Sequence, residues 1–287
     1  QNFDQKVVEI ANKFGVTLAT TMSGYVDKGK DFGSPNIRVI QAPKVALVGG
    51  EGTNSLNYGA LWHFFEKDLN YPLVNLELDN MGRYDLNKYT VLIMPSMRGG
   101  GLSKSAEENV MQWVRGGGKV IAIDGALNLF ANKEGFDLKT FDSDDDKKAA
   151  QKKLDSLAKA ERLTPYQEGE RVAISSGAAG AIYQITMDET HPLGYGTGGT
   201  YYALKNNSSK FTYLSNGANA GIIANNDAYR TGYIGCKIKS SMGGSMAVGV
   251  ENVGRGEIVY FVDDPIFRGF WESGKLVLSN AIFMVGQ

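Results

Sequence analysis

Three aspartates stand where two apolar runs end. Lys119–Ile123 (KVIAI) leads into Asp124-Gly125-Ala126, and Val259–Val262 leads into Asp263-Asp264-Pro265. Almost wholly apolar runs of this length suit strands covered on both faces. If both strands are central and point the same way, Asp124 projects beside Asp263 or Asp264 at the carboxyl edge of the sheet. Open α/β sheets take their ligands at that edge. Carboxylates gathered there could hold a cation, accept hydrogen bonds from a polar ligand or perform acid–base hydrolysis. Asp124, Asp263 and Asp264 are therefore the catalytic candidates. The plainer reading is capping, because Asp is a favoured N-cap and helix-like sequence follows both sites.

Other residues could carry different chemistry. His63 and Glu66 form an H-x-x-E, and His191 lies further along; two His and one Glu are the protein ligands of an open zinc site. On a helix, however, His63 and Glu66 share the face of Gly59 and Lys67, opposite Leu61, Phe65 and Leu69. That placement reads as a solvent-facing pair, His191-Pro192 reads as loop, and no metal or other cofactor is expected. Cys236 lies in YIGCKIK, a β-like run that predicts a buried strand cysteine without the helix N-terminus or neighbouring base that activates a thiol. Gly49-Gly50-Glu51-Gly52 occupies the strand-to-helix position of a phosphate loop, yet Ser55 replaces the last glycine of G-x-G-x-x-G and Glu51 would repel phosphate. Gly50 and Glu51, with Arg98 in a later loop, remain the ligand-binding candidates. The D-x-D-x-D in Phe141–Asp155 has Lys147 and Lys153 where a calcium loop needs Gly and Glu, so it reads as a solvated loop.

Composition bounds the rest. The 287 residues are 43% hydrophobic and 21% charged, with net charge −1, so no basic footprint for nucleic acid is present. One cysteine excludes an internal disulfide framework, and two histidines exclude a three-His zinc site. No apolar run is long enough to span a membrane. The chain starts at Gln1 without a signal-like segment, as expected of a processed protein or an excised piece.

The elements that must position these residues alternate. Strands are predicted at Val45–Val48, Leu73–Leu78, Tyr89–Met94 and Lys119–Ile123, and helices at Ser55–Leu69 and Lys104–Arg115, the latter opened by a Ser105/Glu108 capping box. An earlier helix over Asp4–Phe14 is stopped by Gly15, and Asn36–Ile40 is a candidate strand. After Gly177 the texture turns β-rich, at Ala181–Met187, Gly199–Leu204, Phe211–Leu214, Gly232–Lys239, Ser245–Val250 and Glu257–Val262, with helical spacing through Pro265–Val285. The expected fold is α/β: a flavodoxin-like, mainly parallel sheet with helices on both faces and β-rich additions in the second half. Residues 1–43 form an N-terminal connector helix and short strand, and 44–287 the α/β domain.

The stretch Lys44–Phe130 resembles the class I glutamine amidotransferase-like fold: a strand closing in Gly-Gly, a helix, YTVLIMPS before a Gly-rich loop, then GGGKVIAIDGAL. The stretches WHFFEKDLNYPL, DLNKYTVLIMP, THPLGYG, GYIGCKI and FVDDPIFRGFW…LVLSNAIFMVG are more specific. They are similar to the amidotransferase-like domain that follows the catalytic domain in secreted bacterial zinc carboxypeptidase-like proteins. The resemblance implies a periplasmic or extracellular location and a peptidase domain of the same polypeptide as partner. It also implies lost chemistry. Asp124 stands where working amidotransferases carry the nucleophilic Cys, and Val262-Asp263-Asp264-Pro265 stands where they carry the catalytic His. A non-catalytic accessory domain is the leading expectation. A hydrolase using the sheet-edge carboxylates, or a zinc hydrolase through His63, Glu66 and His191, is the alternative.

Overall fold

Four short runs of residues that pack on both faces make the strands of the parallel sheet's centre. In the computed structural model these are β1 (Val45–Gly49), β3 (Val91–Met94), β4 (Lys119–Ile123) and β10 (Gly256–Phe261), with β2 (Leu73–Glu77) at the edge. The structure describes residues 2–35, 37, 39–98, 101–141, 174–175 and 177–286. These fall into two compact units, residues 1–40 and 41–286. The D-x-D-x-D of Phe141–Asp155 lies outside the described residues, apart from Phe141.

The first unit carries α1 (Phe3–Phe14), closed by Gly15 in the left-handed conformation. Positions 37, 39 and 40 are not in a strand, so the expected Asn36–Ile40 strand is absent from the described residues there.

In the second unit the described residues form a ten-stranded sheet. Its antiparallel part comprises β5 (Ala178–Met187), β6 (Thr200–Lys205), β7 (Gly217–Ile223), β8 (Tyr229–Ile234) and β9 (Ser245–Val253). The order is β2-β1-β3-β4-β10-β9-β7-β5-β6, with β8 pairing on β5. The first five strands run parallel in the flavodoxin-like order, and β10 turns the sheet antiparallel by pairing with β9. The β-rich additions are thus an extension of the same sheet.

Alternate strand residues build two cores. Val45, Leu47, Ile93, Ile121, Val259 and Phe261 pack with α2 (Ser55–His63, continued by a π-helical turn over Phe64–Leu69) and with the late helix Glu272–Phe283. Ala46, Val48, Met94, Ala122 and Tyr260 pack on the other face with α3 (Lys104–Arg115). Helices cover both faces, as the continuous apolar runs require. Among the described residues no helix is long and apolar enough to cross a membrane.

Four local expectations change. Ser103 caps α3, accepting from the Ala106 N–H, so no Ser105/Glu108 box opens the helix. Phe211 makes only isolated bridges, so Phe211–Leu214 is not a strand. Gly217–Ile223, for which no strand is expected, is a full strand bounded by β9 and β5. The run Gly232–Lys239 splits: β8 ends at Ile234, and Cys236–Lys239 is a short helix, α4, which makes the late helix α5. Cys236 is exposed and opens α4, so the expected buried strand cysteine is wrong. Gly235 stands between β8 and α4, where a Cβ would lie 2.2 Å from the Ser175 carbonyl oxygen, so only glycine fits.

Candidate functional site

The two aspartate loops meet because β4 and β10 are parallel neighbours in register, with Ile123 opposite Phe261. Asp124 is the first residue beyond β4 and has φ of +49°, a left-handed conformation that Asp tolerates better than most side chains. Its successor must be glycine, since a Cβ on Gly125 would lie 2.4 Å from the Met97 carbonyl oxygen. The result is a sharp turn that presents Asp124 at the carboxyl edge.

The Asp124 carboxylate is held from two sides. Ser96 Oγ, just beyond β3, donates to Oδ2 at 2.7 Å, and Asn207 Nδ2, from the loop after β6, donates to Oδ1 at 2.9 Å. Ser96 is fixed in turn by its own N–H, which donates to Asn57 Oδ1 on α2 at 2.9 Å. Asp124 makes no cap to the 3-10 turn Asp124–Leu129 that it opens, so the capping reading fails there.

Asp263 is 3% exposed, and Lys205, the last residue of β6, is 1% exposed. Lys205 Nζ lies 3.0 and 3.2 Å from the two Asp263 carboxylate oxygens and also donates to the Ser209 carbonyl. Burial pushes the Asp263 carboxyl above the usual carboxylate range; Lys205 opposes this and Asp124 adds to it. Asp264 accepts the Ile266 N–H in a tight turn, without capping the following 3-10 turn Phe267–Gly269. Burial raises its pKa to about 6, with Asp124 and Asp263 contributing, while the Ile266 N–H and the Asn57 amide pull the other way. Asn57 Nδ2 nevertheless makes no well-formed hydrogen bond. The three carboxylates therefore influence one another electrostatically, with one buried cation among them directed at Asp263.

The remaining candidates do not join this cluster. His63 lines a separate cleft of about 600 Å³ with Leu56, Arg268 and Phe270. Glu66 pairs with Lys67 at 2.9 Å. His191 Nδ1 accepts the Leu193 N–H, and burial holds its pKa below the usual imidazole value. Among the described residues no three His, Cys, Asp or Glu side chains are placed to hold a metal ion, so His63, Glu66 and His191 are not assembled.

Glu51 and Arg98 do come together. They line a cavity of about 260 Å³ with Leu78, Asp79, Met97 and Ser103. The loops are tied by the Arg98 N–H to the Gly52 carbonyl at 2.7 Å and by a bridge between Thr53 and Met97. Gly50 supports this arrangement from behind: its φ is +105°, and a Cβ there would lie 2.7 Å from Glu77 Oε2.

Sequence reasoning missed Ser96, Asn57, Asn207 and Lys205. Lys205 alone left a signal. In TYYALK it alternates with Tyr201 and Ala203, so period-2 patterning puts it on their buried face. The two partners of Asp124, and Asn57 behind Ser96, come from separate parts of the chain, and no local spacing marks them.

No family model matches the chain, and no curated protein matches it. Solved structures do. A ThuA-like protein from Parabacteroides merdae is 11% identical with a TM-score of 0.51, over 84% of this chain and 89% of that one. A GMP synthase component from Thermoplasma acidophilum is 9% identical with a TM-score of 0.50, over 84% and 94%. A ThuA-like protein from Bacteroides uniformis is 15% identical with a TM-score of 0.48, over 87% and 94%. At these identities the likeness is one of fold. The chain has the mixed α/β, glutamine amidotransferase-like fold, and the expected architecture stands.

Proposed function

We propose that the chain is a non-catalytic amidotransferase-like domain, with a structural, ligand-binding or interaction role beside a hydrolase. One observation carries this reading: the residue at the elbow is Asp124, and both its oxygens are engaged, by Ser96 Oγ and Asn207 Nδ2. Release of ammonia from a carboxamide needs an activated nucleophile and a base to move its proton. A carboxylate held by two donors is a weak nucleophile. At the position of the parent histidine, Asp263 is paired with Lys205, and an ion-paired carboxylate is a poor base. The particular context, a secreted zinc carboxypeptidase-like protein located in the periplasm or outside the cell, rests on sequence resemblance alone. The reading frame upstream of Gln1 tests it, and any other domain there removes it.

The alternative hydrolase would use Asp264, whose pKa near 6 suits acid–base work. Against it, Asp124 has both oxygens engaged by Ser96 and Asn207, and Asp263 is ion-paired with Lys205. A glutaminase assay on purified protein tests the main reading. No ammonia above the protein-free rate is expected. Glutamine turnover that disappears in Asp124→Ala would overturn it.

A further inference from the structure

The cavity at Glu51 and Arg98 lies where the strand order reverses. Strand β1 has β2 on one side and β3 on the other, and the chain beyond their carboxyl ends lines the cavity. We propose that this crevice binds an uncharged ligand through a vicinal diol, carried by the ribose of a nucleoside or by a free sugar.

The lining has the chemistry for it. Glu51 comes from the loop after β1, Asp79 from just beyond β2, and Arg98 from the loop after β3. Among the described residues none of the three makes an ion pair. Carboxylates only accept hydrogen bonds and a guanidinium only donates them, whereas a hydroxyl does both. Adjacent hydroxyls can therefore donate to Glu51 or Asp79 while accepting from Arg98. Leu78 and Met97, each 9% exposed, give an apolar wall for the C–H face of a ring.

Charged ligands fit less well. Two carboxylates against one guanidinium repel a phosphate. The volume of about 260 Å³ suits one sugar ring with a modest substituent, below the range of drug-sized sites. None of the lining residues belongs to the aspartate cluster, so the proposal does not depend on that cluster being inert. A binding readout also separates its failure from any result of the glutaminase assay.

The test titrates the full chain with adenosine, 2′-deoxyadenosine, AMP and glucose, followed by ligand-observed NMR and calorimetry. Asp79→Ala and Arg98→Ala are run in parallel; both side chains are exposed, so the fold is retained. Adenosine or glucose should bind, and each variant should weaken binding about tenfold, as expected for losing a hydrogen bond to a charged group. Discrimination of about tenfold against 2′-deoxyadenosine assigns a ribosyl ligand; binding of glucose assigns a free sugar. No binding of adenosine or glucose at about 10 mM, AMP binding more tightly than adenosine, or unchanged affinity in Asp79→Ala would each overturn the proposal.

Discussion

Replacing Lys205 by Met keeps the aliphatic stem and deletes the ammonium. Asp263 is then left among buried neighbours that include Tyr183 and Tyr201 without its counter-charge. Removing one partner of a buried pair costs about 3–5 kcal/mol, and at 1% and 3% exposure this pair belongs to that class. Part of the cost is recoverable by protonation. Burial already holds the Asp263 carboxyl above its ordinary range, and Lys205 is the group that opposes the rise. Without Lys205 the folded-state pKa climbs further, while the unfolded value stays near 3.8. A carboxyl raised in the folded state contributes its stability below the unfolded pKa and loses it as pH rises through the folded one. Lys205→Met should therefore lose about 3–5 kcal/mol at pH 8 and visibly less at pH 5, at about 1.4 kcal/mol per pKa unit. Urea unfolding followed by tryptophan fluorescence at several pH values measures this. Lys205→Met with Asp263→Asn, which leaves neither charge, should be more stable than the single variant at pH 8. A single variant within about 1 kcal/mol of the parent at pH 8, or a double variant no better than the single, would refute the reasoning.

Three further expectations can be checked with the same equipment. Gly125→Ala places a Cβ 2.4 Å from the Met97 carbonyl and should cost about 1–3 kcal/mol by overpacking; an unchanged melting temperature contradicts that. Asp264, with a pKa raised from 3.8 to about 6, contributes about 3 kcal/mol below pH 4 that is lost as pH passes 6. Asp264→Asn should flatten the stability profile across that window, and an unaltered slope would count against the assignment. Ser103→Ala should cost about 1 kcal/mol as a lost N-cap, whereas Ser105→Ala should stay within about 0.5 kcal/mol. Equal effects of the two would return the cap to Ser105.

Legibility followed burial. VALVG, VLIM, KVIAI and EIVYF are packed on both faces, and their continuous apolar character exposed the parallel sheet and the two loops that carry Asp124 and Asp263. The antiparallel wing was harder to read. In GANAGII, Gly221 is crowded by Met187, Ile185 and Val248, and such small residues carry little strand signal in sequence. Cys236 follows a glycine that close approach to the Ser175 backbone requires, a tertiary constraint that no local pattern encodes. At the site, the convergence of the aspartates was legible from strand ends alone, and their partners were not. Asn57, Ser96 and Asn207 are ordinary polar residues until the fold brings them to Asp124.

The position of β10 also dictates an order of events. It is made after the nine other described strands, yet it lies between β4 and β9, pairing Glu257 with Lys119 and with Asn252. During synthesis β1 to β4 emerge early and can pair, but the outer edge of β4 has no partner until the ribosome has passed Phe261. A nascent chain therefore carries an open, apolar edge while residues 124–261 are made, the kind of surface that templates association between chains. Folding of the sheet must end with one long-range docking step, and such steps are slow. Slowing translation should therefore raise the soluble yield, and an unchanged yield would count against this order of events.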